Sequence, residues 1–308
     1  MSDVIYLCAQ PAIDYYTWQV EVMINNFEKN NVNLENVHIV CAHYGRIPEK
    51  WQKLKDQYNK VKFFFYRDER FKPGYIPSIR PHIMHQHWLH NPELEAKIIF
   101  YHDCDIILAK PLDFSEMGAD NEICYVSDTV SYLGAKYVRS KGEHYLDLMT
   151  SIVGVNKQYV IDNEKDSGGA QYILKKIPAK FWQKVYYDCE NLYRIVNEQI
   201  AKDKPPHAIQ IWCADMWAVL WNLWFFDKKV KVTNDLSFSW ATSPMAHWDN
   251  HPIFHNAGVT GMGNQFYKGA YINKLPYNEL NLETLSKDFC SYKYAEAILN
   301  AKQVSCLI

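Results

Sequence analysis

Ile98-Ile-Phe-Tyr-His-Asp-Cys-Asp-Ile-Ile-Leu108 is an apolar run interrupted by two carboxylates, Asp103 and Asp105. The residues before the break are β-branched or aromatic, the make-up of a strand covered on both faces. Two like charges at the end of such a strand are costly to bury unless a cation compensates them. A hard divalent ion does this well, because Mg²⁺ or Mn²⁺ takes carboxylate oxygens and shares its other positions with phosphate oxygens. The pattern points to a metal clamped beneath a nucleotide diphosphate, with a solvated strand end as the plain alternative.

Outward from this stretch, Val4–Ala9, Val37–Ala42 and Val61–Tyr66 read as strands, and Gln10-Pro11 as a turn. Helical spacing falls between them over 15–27 and 48–58. Pro73-Gly74 and Pro77 mark a loop over 67–78, and a helix over 81–90 starts on a proline. Beyond the acids come a strand over 121–127, a helix over 136–154 and a tight loop, Asp166-Ser-Gly-Gly-Ala-Gln171. Helices over 178–202 and 214–225, a strand over 230–232 and a last helix over 292–301 follow. This alternation predicts an α/β fold, a mainly parallel sheet with helices on both faces. Residues 237–264 read as a loop-rich C-terminal wrap. Ligands of such sheets sit at the carboxyl ends of the strands, where Gln10, Asp103, Asp105 and Asp128 would lie.

A net charge of −2 does not announce a nucleic-acid binder, and the basic stretches near 175–184 and 228–231 read as solvated faces. The 22 Tyr, 14 Phe and 10 Trp exceed what packing needs, so some rings are expected to line a cleft. None of the eight cysteines forms a Cys-x-x-Cys pair, and several sit in apolar runs, as free buried thiols do. No basic leader or long apolar stretch is present, so a soluble, cytoplasmic protein is expected. His85, His87 and His90 do not make a zinc site, because residues two apart on a helix point away from each other.

The second half offers a partner for the acids in Phe254-His-Asn-Ala-Gly-Val-Thr-Gly-Met-Gly263. Neutral imidazole suits an ion such as Mn²⁺, so His255 is a candidate third ligand. Gly258, Gly261 and Gly263 would let backbone amides approach phosphate oxygens, and Lys268 would place a charge on the diphosphate.

With these residues in hand, the chain resembles the GT-A-fold (Rossmann-like), nucleotide-sugar-dependent glycosyltransferases. More narrowly it is similar to the plant hydroxyproline O-arabinosyltransferase family and the related peptidyl-serine galactosyltransferases. Four blocks carry the likeness: Tyr15–Met23, Ile79–Trp88 (departing at Ile79 and His82), Tyr101–Leu112, and Trp212–Ala218 with Asp215 in place of a glutamate. They span roughly residues 4–260. The resemblance implies a GT-A domain over 1–270 with an extension over 271–308 packed on it. It also implies Mn²⁺ or Mg²⁺ held by Asp103, Asp105 and His255, and retaining transfer from a UDP-sugar, UDP-arabinofuranose leading. Asp103 would contact the ribose or the metal. Tyr15 or Trp18 would stack on uracil, with Trp18 better placed as core. Arg80 would hold the diphosphate or an acidic neighbour. Gly168, Gly169 and Gln171 would form a sugar-facing loop or a plain turn. Asp215 would orient the acceptor or stabilise the transition state, or else pair within the core. The acceptor stays open between a hydroxymethylated base in phage DNA and a glycan or protein hydroxyl, with no obligate protein partner. Competing readings are a metal-dependent phosphohydrolase or nucleotidyltransferase, which would need a further acidic pair, and a non-enzymatic sugar-binding module.

Overall fold

The computed structural model describes residues 4–119 and 122–308, and there the apolar runs become ten strands. They are β1 (Val4–Pro11), β2 (Val37–His43), β3 (Lys62–Arg67), β4 (Ile98–Tyr101) and β5 (Ile106–Leu108). After these come β6 (Ile123–Asp128), β7 (Gly168–Lys175), β8 (Lys229–Val232), β9 (Phe238–Trp240) and β10 (Ile253–His255). Asn121, read as the first residue of a strand, lies outside the described residues. The chain divides into two compact units, one of residues 68–101 and 115–233 with residue 4, the other of residues 5–67, 102–114 and 234–308.

In the second unit β1, β2 and β3 pair in parallel, with Tyr6 opposite Val37 and His38 opposite Lys62. The helix Asp14–Lys29 joins β1 to β2 and buries Trp18, Val22 and Phe27 at the expected spacing. Trp18 is fully buried, edge-on to Phe266, Tyr271 and Tyr294, and so belongs to the core. The segment expected to be loop contains structure. β10 pairs antiparallel with β5 and parallel with β9, making a small three-stranded sheet. Its strands are only three residues long, too short for a period-two pattern to show. The same unit buries Glu21 on the helix Asp14–Lys29. Its carboxylate accepts from the Tyr277 hydroxyl and, at 2.7 Å, from that of Ser305. Burial pushes this carboxyl above its ordinary range, opposed by those hydroxyls.

The first unit orders its strands β4-β7-β6-β8, with β7 antiparallel to both neighbours and β6 parallel to β8. Of the seven pairings described within the units, four are parallel, and helices flank the strands: an α/β fold with a mostly parallel sheet. The helix read over 136–154 is two, Ala135–Lys141 and Glu143–Val153, broken at Gly142. The long helix Ala179–Asp203 and the almost wholly buried Ala214–Phe225 match their sequence patterns. Indole N–H groups reach carbonyls, Trp88 to Ile177 at 2.7 Å and Trp217 to Leu133 at 2.9 Å, so these buried rings leave no stranded donor. All eight cysteines are free, and seven are buried. Among the described residues no helix is long and apolar enough to cross a membrane.

His38, buried on β2 against Phe64, tests this packing. Burial, helped by Lys62, lowers its pKa from 6.5 to about 4. The imidazole is therefore neutral in the fold, and its stabilising share is complete above pH 6.5 and lost as pH falls towards 4. From pH 7 to pH 5 the loss is about 2 kcal/mol. Urea denaturation at the two pH values is expected to show a smaller drop for His38→Phe than for the parent.

Candidate metal centre

The sheet of β5, β10 and β9 builds the site of the second unit. Asp105 directly precedes β5, and its carbonyl accepts from the Asn256 N–H at 3.0 Å. The register places His255 opposite Ile106 on one side and Trp240 on the other. Asp103 sits in the turn before, where the His102 N–H reaches the Leu7 carbonyl of β1 at 3.0 Å. His255 Nε2 is 3.4 Å from Asp103 Oδ2 and 3.5 Å from Asp105 Oδ1. Three ligand atoms from these residues lie within 4.8 Å of one another, the one such group among the described residues. The sequence-based candidate ligands come together.

Electrostatics agrees with a cation site. Lys268 Nζ pairs with Asp105 Oδ2. Burial alone would raise the Asp105 carboxyl, but the Lys268 ammonium and His255 outweigh it and hold it well below the carboxylate range. Burial likewise disfavours the His255 cation, yet Asp105 and Asp103 lift its pKa to about 9. Two cationic groups are thus gathered on two carboxylates, which marks a concentration of negative charge. Two carboxylates and an imidazole are a donor set that suits Mn²⁺ or Mg²⁺.

Other expected residues fall around this centre. Tyr15 is close enough to Lys268 and Asp105 to feel both, while burial, the larger effect, pushes its hydroxyl up to about 12. Gly258 has φ +95°, and a side chain there would be strained as well as 3.2 Å from the Thr242 hydroxyl, so glycine turns the chain after His255. Gln10 is corrected: it lies in β1, not in a turn, and its amide donates to the Val40 carbonyl and Cys41 Sγ at 3.2 Å each. A buried amide spent on the neighbouring strand is a structural tie. Trp240 was missed as a site residue. Its ring stacks on the His255 imidazole at 5.6 Å and 22°, fixing the ring plane of the candidate ligand.

In the first unit, Gly168 and Gly169 are not a loop; they open β7 opposite Asp128 and Ser127 at a bulge. A Cβ on Gly168 would lie 2.3 Å from the Ser127 carbonyl oxygen, so close strand approach excludes any side chain. Gln171 is fully buried and its Oε1 accepts from the Ser127 hydroxyl at 2.7 Å, bracing the same bulge. Asp215 and Arg80 do meet. Arg80 Nη2 is 3.1 Å from Asp215 Oδ2, so the acidic neighbour of Arg80 is Asp215. The Tyr75 hydroxyl is 2.7 Å from Asp215 Oδ1 and 2.6 Å from the Trp212 carbonyl, sharing one proton between them. Tyr75 stacks on Tyr193 at 4.7 Å. Its loop is tied down by a buried Arg70–Asp68 pair, each side chain 3% exposed, and by Ser78 and the Gly74 N–H on Glu190.

No family model matches the sequence, and no curated protein does. Solved structures are similar over nearly the whole chain. The WbbM bifunctional glycosyltransferase, in its apo structure, is 10% identical with a TM-score of 0.50, over 97% of this chain and 50% of its own. This chain thus spans half the length of WbbM. The galactosyltransferase LgtC, solved with donor and acceptor sugar analogues, is 12% identical (TM-score 0.47), covering 99% of this chain and 97% of its own. The glycosyltransferase GlyE of Streptococcus pneumoniae TIGR4 is 10% identical (TM-score 0.46), covering 99% and 62%. The likeness to WbbM is one of fold: this chain has the α/β architecture of a GT-A-type glycosyltransferase.

Proposed function

We propose that the chain is a metal-dependent glycosyltransferase that moves a sugar from a nucleotide-sugar donor to an acceptor hydroxyl. The convergence of Asp103, Asp105 and His255 supports this reading most, because two carboxylates and an imidazole suit a divalent ion shared with a diphosphate. Asp103, Asp105 and His255 would hold the ion, which supplies Lewis-acid neutralisation of charge on the departing nucleotide diphosphate. Lys268, which pairs with Asp105, would place its ammonium on a phosphate oxygen of the donor. Tyr15 bounds the site beside Lys268 and offers a face for the base. UDP is the nucleotide and arabinofuranose the leading sugar. Transfer with retention by front-face attack needs no protein nucleophile. Asp215, held by Arg80 and Tyr75, is a carboxylate fixed in place to accept from a sugar hydroxyl.

The test is UDP release from a panel of UDP-sugars with Mn²⁺. Slow release, selective for one sugar and stopped by EDTA, is the expected outcome. Asp105→Ala is expected to weaken Mn²⁺ binding by more than about 100-fold, since even losing an outer-shell partner of a metal ligand costs 10–100-fold. No Mn²⁺-dependent UDP binding by calorimetry in the parent protein would sink the proposal. Lys268→Met separates the two charges: it is expected to keep Mn²⁺ binding and weaken UDP binding about tenfold, a lost charged hydrogen bond being worth about 1.5–3 kcal/mol. For Asp215→Asn, lower turnover with intact UDP binding is expected. Equal loss of both would remove Asp215 from the chemistry.

A further inference from the structure

Trp212 is 62% exposed, in the short turn Ile211–Cys213 that leads into the buried helix Ala214–Phe225. An exposed indole is a large apolar face left in water, and here its backbone is fixed. Its carbonyl is held by Tyr75, whose hydroxyl also reaches Asp215. Asp215 lies three residues on, in the first turn of that helix. Arg80 closes the far side of the carboxylate. Ile76 and Phe71, on the loop that carries Tyr75, are also exposed, at 79% and 85%. That loop is tied by the buried Arg70–Asp68 pair, so its apolar side chains are presented from a backbone already ordered.

We propose that Trp212, Asp215 and Arg80 form a binding subsite for a neutral saccharide. The indole would pack on the C–H face of a sugar ring, whose hydrogens are drawn to the negative π face. The carboxylate would accept from ring hydroxyls and the guanidinium would donate to them. The charges decide between ligand classes. Arg80 is neutralised by Asp215 and Arg70 by Asp68, so these two arginines bring no net positive charge for a phosphodiester. A mixed apolar and hydroxyl-binding surface whose arginines are already paired fits a neutral sugar. Resting on the transferase reading above, an acceptor held on this surface would be a glycan and not DNA.

Saturation-transfer NMR with methyl glycosides of neutral hexoses and pentoses, without metal or nucleotide, tests the subsite. Transfer to the ring protons of at least one glycoside is expected, falling at least fivefold in Trp212→Ala. This exposed position can be changed without loss of fold, which circular dichroism and the melting curve check. Asp105→Ala is expected to keep the saccharide signal. No transfer from any glycoside, or an undiminished signal in Trp212→Ala, overturns the subsite, as does stronger, salt-sensitive binding of a single-stranded oligonucleotide. The two proposals fail separately. A saccharide signal without Mn²⁺-dependent UDP binding leaves the subsite standing and removes the transferase, and UDP-sugar hydrolysis without a saccharide signal does the reverse.

Discussion

Like charges of Asp103, partly exposed, and Asp105, buried, are the constraint around which the second unit is arranged. His255 at 3.4 Å from Asp103 is worth about 5 kcal/mol of attraction at an effective dielectric of 20, of the order needed to offset desolvation of a carboxylate. That attraction exists only because β10 lies against β5 in one register, with His255 opposite Ile106. A slip of one residue would turn the imidazole to the other face of the small sheet and leave only Lys268 to offset Asp105. The backbone bond from Asn256 to the Asp105 carbonyl makes such a slip costly. Chemistry and packing here impose the same register.

The first unit handles charge differently. Two of its arginines are paired with one carboxylate each, Arg70 with Asp68 and Arg80 with Asp215, and Arg70 also donates to backbone carbonyls of its own loop. Removing one partner of such a pair costs more than the pair contributes, because it leaves a charge stranded. Those bonds give the unit a loop of fixed shape. The candidate cluster of the second unit instead gathers Asp103, Asp105 and His255 at the spacing of metal ligands.

Legibility in the sequence followed length and periodicity. Long strands and helices declared themselves, as with β1, β2 and the helices Asp14–Lys29 and Ala214–Phe225. The candidate ligands were readable because two acids in an apolar run break a local rule that needs a reason. The small sheet was not, since three-residue strands carry no alternation. Gly168 and Gly169 misled because glycine pairs mark turns as readily as they mark strands in close contact, and only the nearness of the Ser127 carbonyl distinguishes the two. Gln10 misled for a related reason: an amide at a strand end serves a ligand or the next strand equally well. Trp240 gave no signal, because its value lies in a ring contact with a residue fifteen positions later.

The order in which the chain is made adds a last consequence. The first unit is nearly continuous, whereas the second gathers residues 5–67, 102–114 and 234–308. Its parallel strands β1 to β3 emerge early from the ribosome, but their partners in the core, and His255 and Lys268, come some 150 residues or more after Asp105. Tyr277 and Ser305, which cap Glu21, come later still. During synthesis the early strands must wait, with an apolar face uncovered and a carboxylate unsatisfied, through the whole of the first unit. The candidate cluster is therefore assembled from distant parts of the chain, so a chain terminated before His255 would carry the two acids and no third ligand.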